Sequence, residues 1–203
     1  DQRSSVNFDS AVKWPFKLRG KHYLPTRGFS KSPFPPRRMA AMTSLMWFRD
    51  DLRLHDNQAL SRAAEAAALG DAPLVAVVLD EPAYPGTRPL GGASSWWRER
   101  SLYALARDLA GRGVELIRAA GDAREEIPRL AAELGATTVT WTRRYHGPLR
   151  EVDASVKETL TSQGTTATSL PGFTLVEPWE VTNGQGQPCL LYTSDAADER
   201  SSV

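Results

Sequence analysis

Arg49, Asp50, Asp51 and Arg53 follow directly behind an apolar run, and Asp56 and Asn57 close the stretch "LMWFRDDLRLHDN". Two guanidiniums and two carboxylates in that spacing can do one of two things. They can grip a charged or planar ligand at the end of a core strand, or they can pair with one another, order the loop and cap the next helix. A second basic cluster, Arg143, Arg144 and His146 in "RRYHGP", would suit a phosphate or carboxylate tail, although solvated arginines give the same sequence. A third stretch, "RPLGGASSWW", offers glycines before a helix amino end, where free N–H groups could hold an anion or simply form an entry loop. Of Trp96 and Trp97, one is expected in the core and the other is placed to stack on a planar ligand.

Several chemistries are absent. No G-x-G-x-x-G follows the first apolar run and no G-x-x-x-x-G-K-[ST] occurs, which removes the usual dinucleotide and triphosphate cradles. Neither His55 nor His146 has a nucleophile in its own motif, so no catalytic residue is assigned. The single cysteine, Cys189, and three scattered histidines exclude an intrachain disulfide and a Cys-rich zinc site.

The elements that must position the three clusters show in the periodicity. Short β-branched runs alternate with longer amphipathic ones, which is the pattern of an α/β domain with a parallel sheet. Strands are expected at residues 45–48, 74–79, 115–119, 138–141 and 165–169. The first helix starts from the Asp56-Asn57 cap and stops at Gly70. The second has Ser94 or Ser95 as its cap and Trp97, Leu102, Leu105 and Leu109 near one face. In the third, Pro128 predicts a kink or a late start, and Gly121-Asp122 before it reads as a turn and cap. The fourth runs from "LREVD" to "TSQG". Right-handed crossovers then favour a doubly wound, Rossmann-like sheet of five parallel strands, with ligands beyond the strands' carboxyl ends. The loops at residues 49–53 and 143–148 are neighbours there if the first and fourth strands are adjacent.

Charge and the chain ends complete the organisation. Residues 1–38 hold nine Lys/Arg against two Asp/Glu, whereas residues 39–188 hold fifteen against nineteen, so the folded part is acidic and lacks the basic surface of a nucleic-acid-binding domain. Residues 1–38 show no helical or strand period and are expected to be a disordered, non-native leader. Residues 189–199, "CLLYTSDAADE", resemble translated read-through of a sequencing adapter, with a short capped helix as the alternative, and residues 189–203 are expected to be a tail foreign to the fold. No apolar stretch is long enough for a membrane span, and a cytoplasmic monomer is the expectation.

"WFRDDLRLHDNQAL", "WTRRYHGPLREVD" and "EPWEVTNGQGQP", in that order within residues 44–188, resemble landmarks of the DNA photolyase and cryptochrome family, specifically its amino-terminal α/β domain. The resemblance implies that this domain binds an antenna chromophore where it meets a larger helical domain. It also implies that FAD and damaged DNA belong to that helical domain, which is expected to follow the segment similar to "GQGQP". The chain is then the front piece, inactive alone, of a light-driven DNA repair enzyme that splits pyrimidine dimers. Arg49, Asp50, Asp51, Arg53 and Asp56 match the first motif. Together with Trp97, Arg143, Arg144 and His146, its first four are the candidate pigment contacts. The pigment type stays open, because folate-binding relatives carry an acid where Leu149 stands and deazaflavin-binding relatives carry acids near Arg144 and His146. A cryptochrome-like photosensor and a free-standing nucleotide-binding α/β module are the alternatives.

Overall fold

The computed structural model describes residues 43–183 and 185–187, with the backbone of residues 17–18. The rest of the expected leader, and the tail with Cys189, lie outside the described residues. Six strands, β1 (Lys17–Leu18), β2 (Thr43–Phe48), β3 (Leu74–Asp80), β4 (Glu115–Ala120), β5 (Ala136–Thr142) and β6 (Thr166–Leu170), form one sheet in the order β1-β4-β3-β2-β5-β6. Every pairing is parallel. The five expected strands are present to within two residues at each end. The two-residue β1 is an addition at the outer edge of β4, drawn from a segment whose composition shows no strand period.

Four helices connect the main strands: α1 (Gln58–Leu69), α2 (Gly92–Ala110), α3 (Ala123–Leu134) and α4 (Gly147–Ser162). Helices on both faces explain why β2 reads as the unbroken apolar run "LMWF", since both sides of a central parallel strand are buried. Leu45 and Trp47 point into one core with Ile127, Leu130, Val156 and Leu160 from α3 and α4. Met46 and Phe48 point into the other with Ala59, Ala63, Leu102 and Leu105 from α1 and α2. Alanines on α1 bring that helix close enough for strand hydroxyls to reach it, and Ser44 Oγ and Thr140 Oγ1 donate to Ala63 O at 2.8 Å and Ala59 O at 2.9 Å.

Helix starts follow the cap residues where a cap side chain exists. Asn57 caps α1, its Oδ1 accepting from Leu60 N at 3.0 Å, and Gly70 ends that helix. Asp122 caps α3 by accepting from Arg124 N at 2.9 Å, and the helix continues through Pro128, which is buried among its core residues. The late start at Pro128 therefore does not occur, because burying that face outweighs the backbone hydrogen bond that proline removes. In α2 neither Ser94 nor Ser95 is the cap. The cap is Gly91, three residues before Ser94, and it makes no side-chain cap bond.

Asp122 gives a direct test of cap energetics. The hydrogen bonds from Arg124 hold its carboxyl below the ordinary range, with burial opposing and the Arg124 charge assisting. Asp122→Ala should cost about 1 kcal/mol at neutral pH in chemical denaturation. Because the folded value is depressed, the carboxylate's contribution is complete above the unfolded aspartate value, about 3.9, and is lost as pH falls from there through the folded value. The stability gap between the two proteins should therefore narrow on acidification across that window.

Candidate functional site

Strand order reverses direction between β2 and β5, and the loops that leave these two strands meet at the sheet's carboxyl edge. Strand parity decides where the first charges go. Trp47 faces α3 and α4, Phe48 faces α1 and α2, and Arg49 returns to the α4 side. Its guanidinium lies 4.4 Å from the centre of the Trp47 ring and donates from Nη1 to Asp153 Oδ1 on α4 at 2.6 Å. Its Nη2 donates to Thr142 O at the end of β5. Arg144 reaches the same carboxylate, donating from Nη2 to Asp153 Oδ1 at 2.9 Å while both its terminal nitrogens donate to Glu81 at 2.9 and 3.2 Å. Two arginines and two acids thus form a buried network over Trp47, which packs in register beside Trp141 with ring centres 5.9 Å apart and planes inclined by 54°. Burial lowers the Arg49 pKa despite Asp153. For Arg144, burial works in the same direction, but Glu81 and Asp153 together outweigh it and the value is raised.

Asp51 locks the loop. Its Oδ1 accepts from Arg49 N at 3.1 Å, and its Oδ2 accepts from Asn57 Nδ2 at 3.1 Å and from the Thr142 hydroxyl. The asparagine that caps α1 is therefore itself held by the loop it follows. Arg53 lies further out, donating to Asp56 O at 3.0 Å and to Gly172 O at 3.2 Å, and Asp56 takes a left-handed backbone, φ 49°. Gly172 has no room for a side chain, since a Cβ there would sit 2.7 Å from Thr142 Cγ2.

On the α1/α2 side, Arg49, Asp50, Asp51 and Arg53 border an open cleft of about 810 Å³ whose opposite wall is the start of α2, with Leu90, Trp96, Trp97 and Arg98. Both tryptophans are exposed, Trp96 by 45% and Trp97 by 66%, so neither is core. The reason is positional. The helix overhangs the sheet at its amino end, and its first buried residue is Leu102. What the cleft offers is a pair of tilted indole faces, 6.2 Å between centres, facing a polar loop in which Arg49 and Asp51 are held by internal pairing and Asp50 is exposed. It can hold a flat aromatic molecule.

Arg143, Arg144 and His146 do not line this cleft. Arg143 donates to Glu177 and to Ser169 O, and Tyr145 donates to the other oxygen of Glu177 at 2.8 Å. Together they pin the segment "EPWEV" against the sheet edge, with Trp179 beneath the Arg143 guanidinium. His146 is exposed at the start of α4 and makes no side-chain cap bond. The two loops expected to be neighbours are so, but the basic one is turned inward. Glu81, Asp153 and Glu177 carry the countercharges. Their signal in the sequence was weak, since Glu81 is 63 residues from Arg144 and Glu177 is 34 from Arg143.

The DNA photolyase family model matches residues 44–198. The chain is 39% identical over 149 residues to a deoxyribodipyrimidine photo-lyase of Agrobacterium fabrum, an alignment covering 73% of this chain and 30% of that protein. It is 34% identical over 153 residues to cryptochrome-1 of Arabidopsis thaliana, covering 74% of this chain and 22% of the relative. Among solved structures, the class III photolyase from Agrobacterium tumefaciens superimposes with a TM-score of 0.66 at 35% identity, over 85% of this chain and 34% of that one. The chain spans about a third or less of the length of each of these relatives.

Proposed function

The chain belongs to the DNA photolyase family, and from that premise we propose that it is the antenna-chromophore-binding domain of a deoxyribodipyrimidine photolyase, a light-driven enzyme that splits pyrimidine dimers in DNA. The observation that carries the reading is the cleft itself. Two exposed tryptophans face the first-motif loop at the carboxyl edge of a doubly wound sheet, where such folds bind their ligands. The residues present fit a flat pigment. The indoles of Trp96 and Trp97 supply stacking surface, and Asp50 and Arg53 supply exposed polar groups for its rim. A bound pigment would supply light absorption. The protein's part is to fix its position and orientation. FAD and the damaged DNA are assigned to the further length of a photolyase beyond this domain.

A second reading, a cryptochrome-like photosensor, rests on the 34% identity to a plant cryptochrome. Both readings give this domain the same role.

Titration of the chain with folate and deazaflavin pigments, followed by tryptophan fluorescence, tests the assignment. Trp97→Ala should weaken pigment binding by about tenfold, the scale of one lost aromatic stack of roughly 1–3 kcal/mol. Folding stability should change by no more than about 0.5 kcal/mol, since the ring is exposed. Equal binding by the two proteins, or none by either, removes the cleft from consideration. Arg49→Ala would not separate these outcomes, because that side chain is buried in the ion network.

A further inference from the structure

The amino-terminal half of α2 carries both tryptophans of the cleft, yet none of residues 91–101 is buried. The helix starts at Gly92 behind a Gly91 cap that makes no side-chain bond, and a Cβ on Gly91 or Gly92 would meet nothing within 4 Å. Its hydrophobic anchorage begins only at Leu102. The first turns are therefore an overhang, and something else must set their position.

Immediately after Trp97, Arg98 and Glu99 turn back toward the sheet. Arg98 donates from Nη1 to Asp80 Oδ1 at 2.5 Å and from Nη2 to Leu79 O at 3.2 Å, gripping the carboxyl end of β3. Glu99 accepts from both terminal nitrogens of Arg118 on β4, one at 2.9 Å. Arg118 Nε in turn donates to Asp80 Oδ2 at 2.7 Å, which closes the ring. The four side chains are only 16–35% exposed, so the pairs are partly shielded from solvent. Two positive and two negative charges cancel within the ring, leaving it no charge to spend on a ligand.

We propose that Asp80 and Arg118 are positioning residues for the planar ligand of the cleft: through Arg98 and Glu99 they clamp the overhanging turns of α2 and so set where Trp96 and Trp97 stand. Neither touches the ligand. The proposal rests on the cleft being the pigment site, but the clamp itself can be tested without any ligand.

The experiment uses the intact chain and two variants. Asp80→Asn keeps the side chain's size and removes the charge shared by both arginines, while Arg98→Met releases the helix without altering either strand. In hydrogen–deuterium exchange, both should raise the rates of residues 95–101, whose amides carry the first helical bonds, by at least tenfold, the scale of a local opening made easier by about 1.4 kcal/mol, while residues 102–110 keep their protection. The near-ultraviolet circular dichroism of the tryptophan pair should change with them. Flavin mononucleotide, used as a flat probe, should bind Asp80→Asn at least fivefold more weakly than the parent chain, on the scale of a lost pre-organised contact surface; Arg98 itself lines the cleft, so its variant is read by exchange alone. Unchanged exchange across residues 95–101 in both variants overturns the clamp. Faster exchange with unaltered probe affinity overturns the positioning role. If the parent chain and Trp97→Ala both ignore the probe and the pigments, the cleft reading fails and the positioning role with it, while the exchange result still decides the clamp.

Discussion

Replacing Asp153 with alanine should destabilise the domain by about 3–5 kcal/mol, the cost of leaving buried charge without its partner. Asp153 Oδ1 is the shared acceptor for Arg49 Nη1 and Arg144 Nη2, and the three side chains are 10%, 2% and 7% exposed. Removal leaves two guanidiniums beside each other, with Glu81 the remaining acid of the network. Arg49 suffers most, because burial already works against its charge. Asp153→Asn keeps an acceptor and loses only the charge, so its cost should fall between that of alanine and zero. Urea unfolding read by far-ultraviolet circular dichroism gives both values. A loss under about 1 kcal/mol for the alanine variant would put this network in the class of solvent-screened surface pairs.

Asp51→Ala should cost about 3 kcal/mol, on the scale of a charged acceptor removed from buried donors. The effect spreads because the groups it serves belong to different elements: the Arg49 amide ends β2, Asn57 caps α1, and the Thr142 hydroxyl ends β5. Asn57 would then have to cap the helix with its amide held at 3.2 Å by Arg53 O and more distantly by Asp51 O. Asp51→Asn should be milder, although one amide hydrogen must then face the Asn57 amide, also a donor. Thermal unfolding with matched denaturant curves separates the two. If asparagine proves as damaging as alanine, the negative charge matters more than the geometry.

Much of the frame was readable in residues taken one window at a time. Short β-branched runs of four to six residues marked the strands, Asn57 and Asp122 marked two helix starts, and the handedness of parallel crossovers gave a doubly wound sheet in which β2 and β5 prove adjacent. What escaped depended on partners far apart in the chain. The "RRYHGP" arginines read as a solvated basic loop, because nothing nearby in sequence announces that Glu81 and Asp153 neutralise Arg144. Trp97 read as a face-mate of Leu102 and Leu105, because helical period says which residues share a side but not where the sheet beneath them ends. Arg98, Glu99 and Arg118 belong to no motif for the same reason, since their partners lie on other elements. The first motif was read with both possibilities open, and Asp51 and Arg49 supply a lock while Asp50 and Arg53 remain outward.

The strand order has a kinetic consequence. With every pair parallel, no two neighbouring strands can join through a tight hairpin, and each pairing must wait for a long stretch of chain to close. Among the main strands the β2–β5 pair closes the longest stretch, joining Leu45 to Val139, whereas β3 reaches β2 and β4 reaches β3 through one intervening helix each. The chain can therefore assemble as two blocks, β2-β3-β4 and β5-β6, whose docking is the late event. The contacts that define the candidate site span this seam: Arg49 to Asp153 is separated by 104 residues and Thr142 to Asp51 by 91. Neither block alone contains the locked loop. During synthesis the amino-terminal block emerges with one side of β2 unpaired, and Arg49 at its tip lacks the Asp153 carboxylate until β5 and α4 arrive to close the seam.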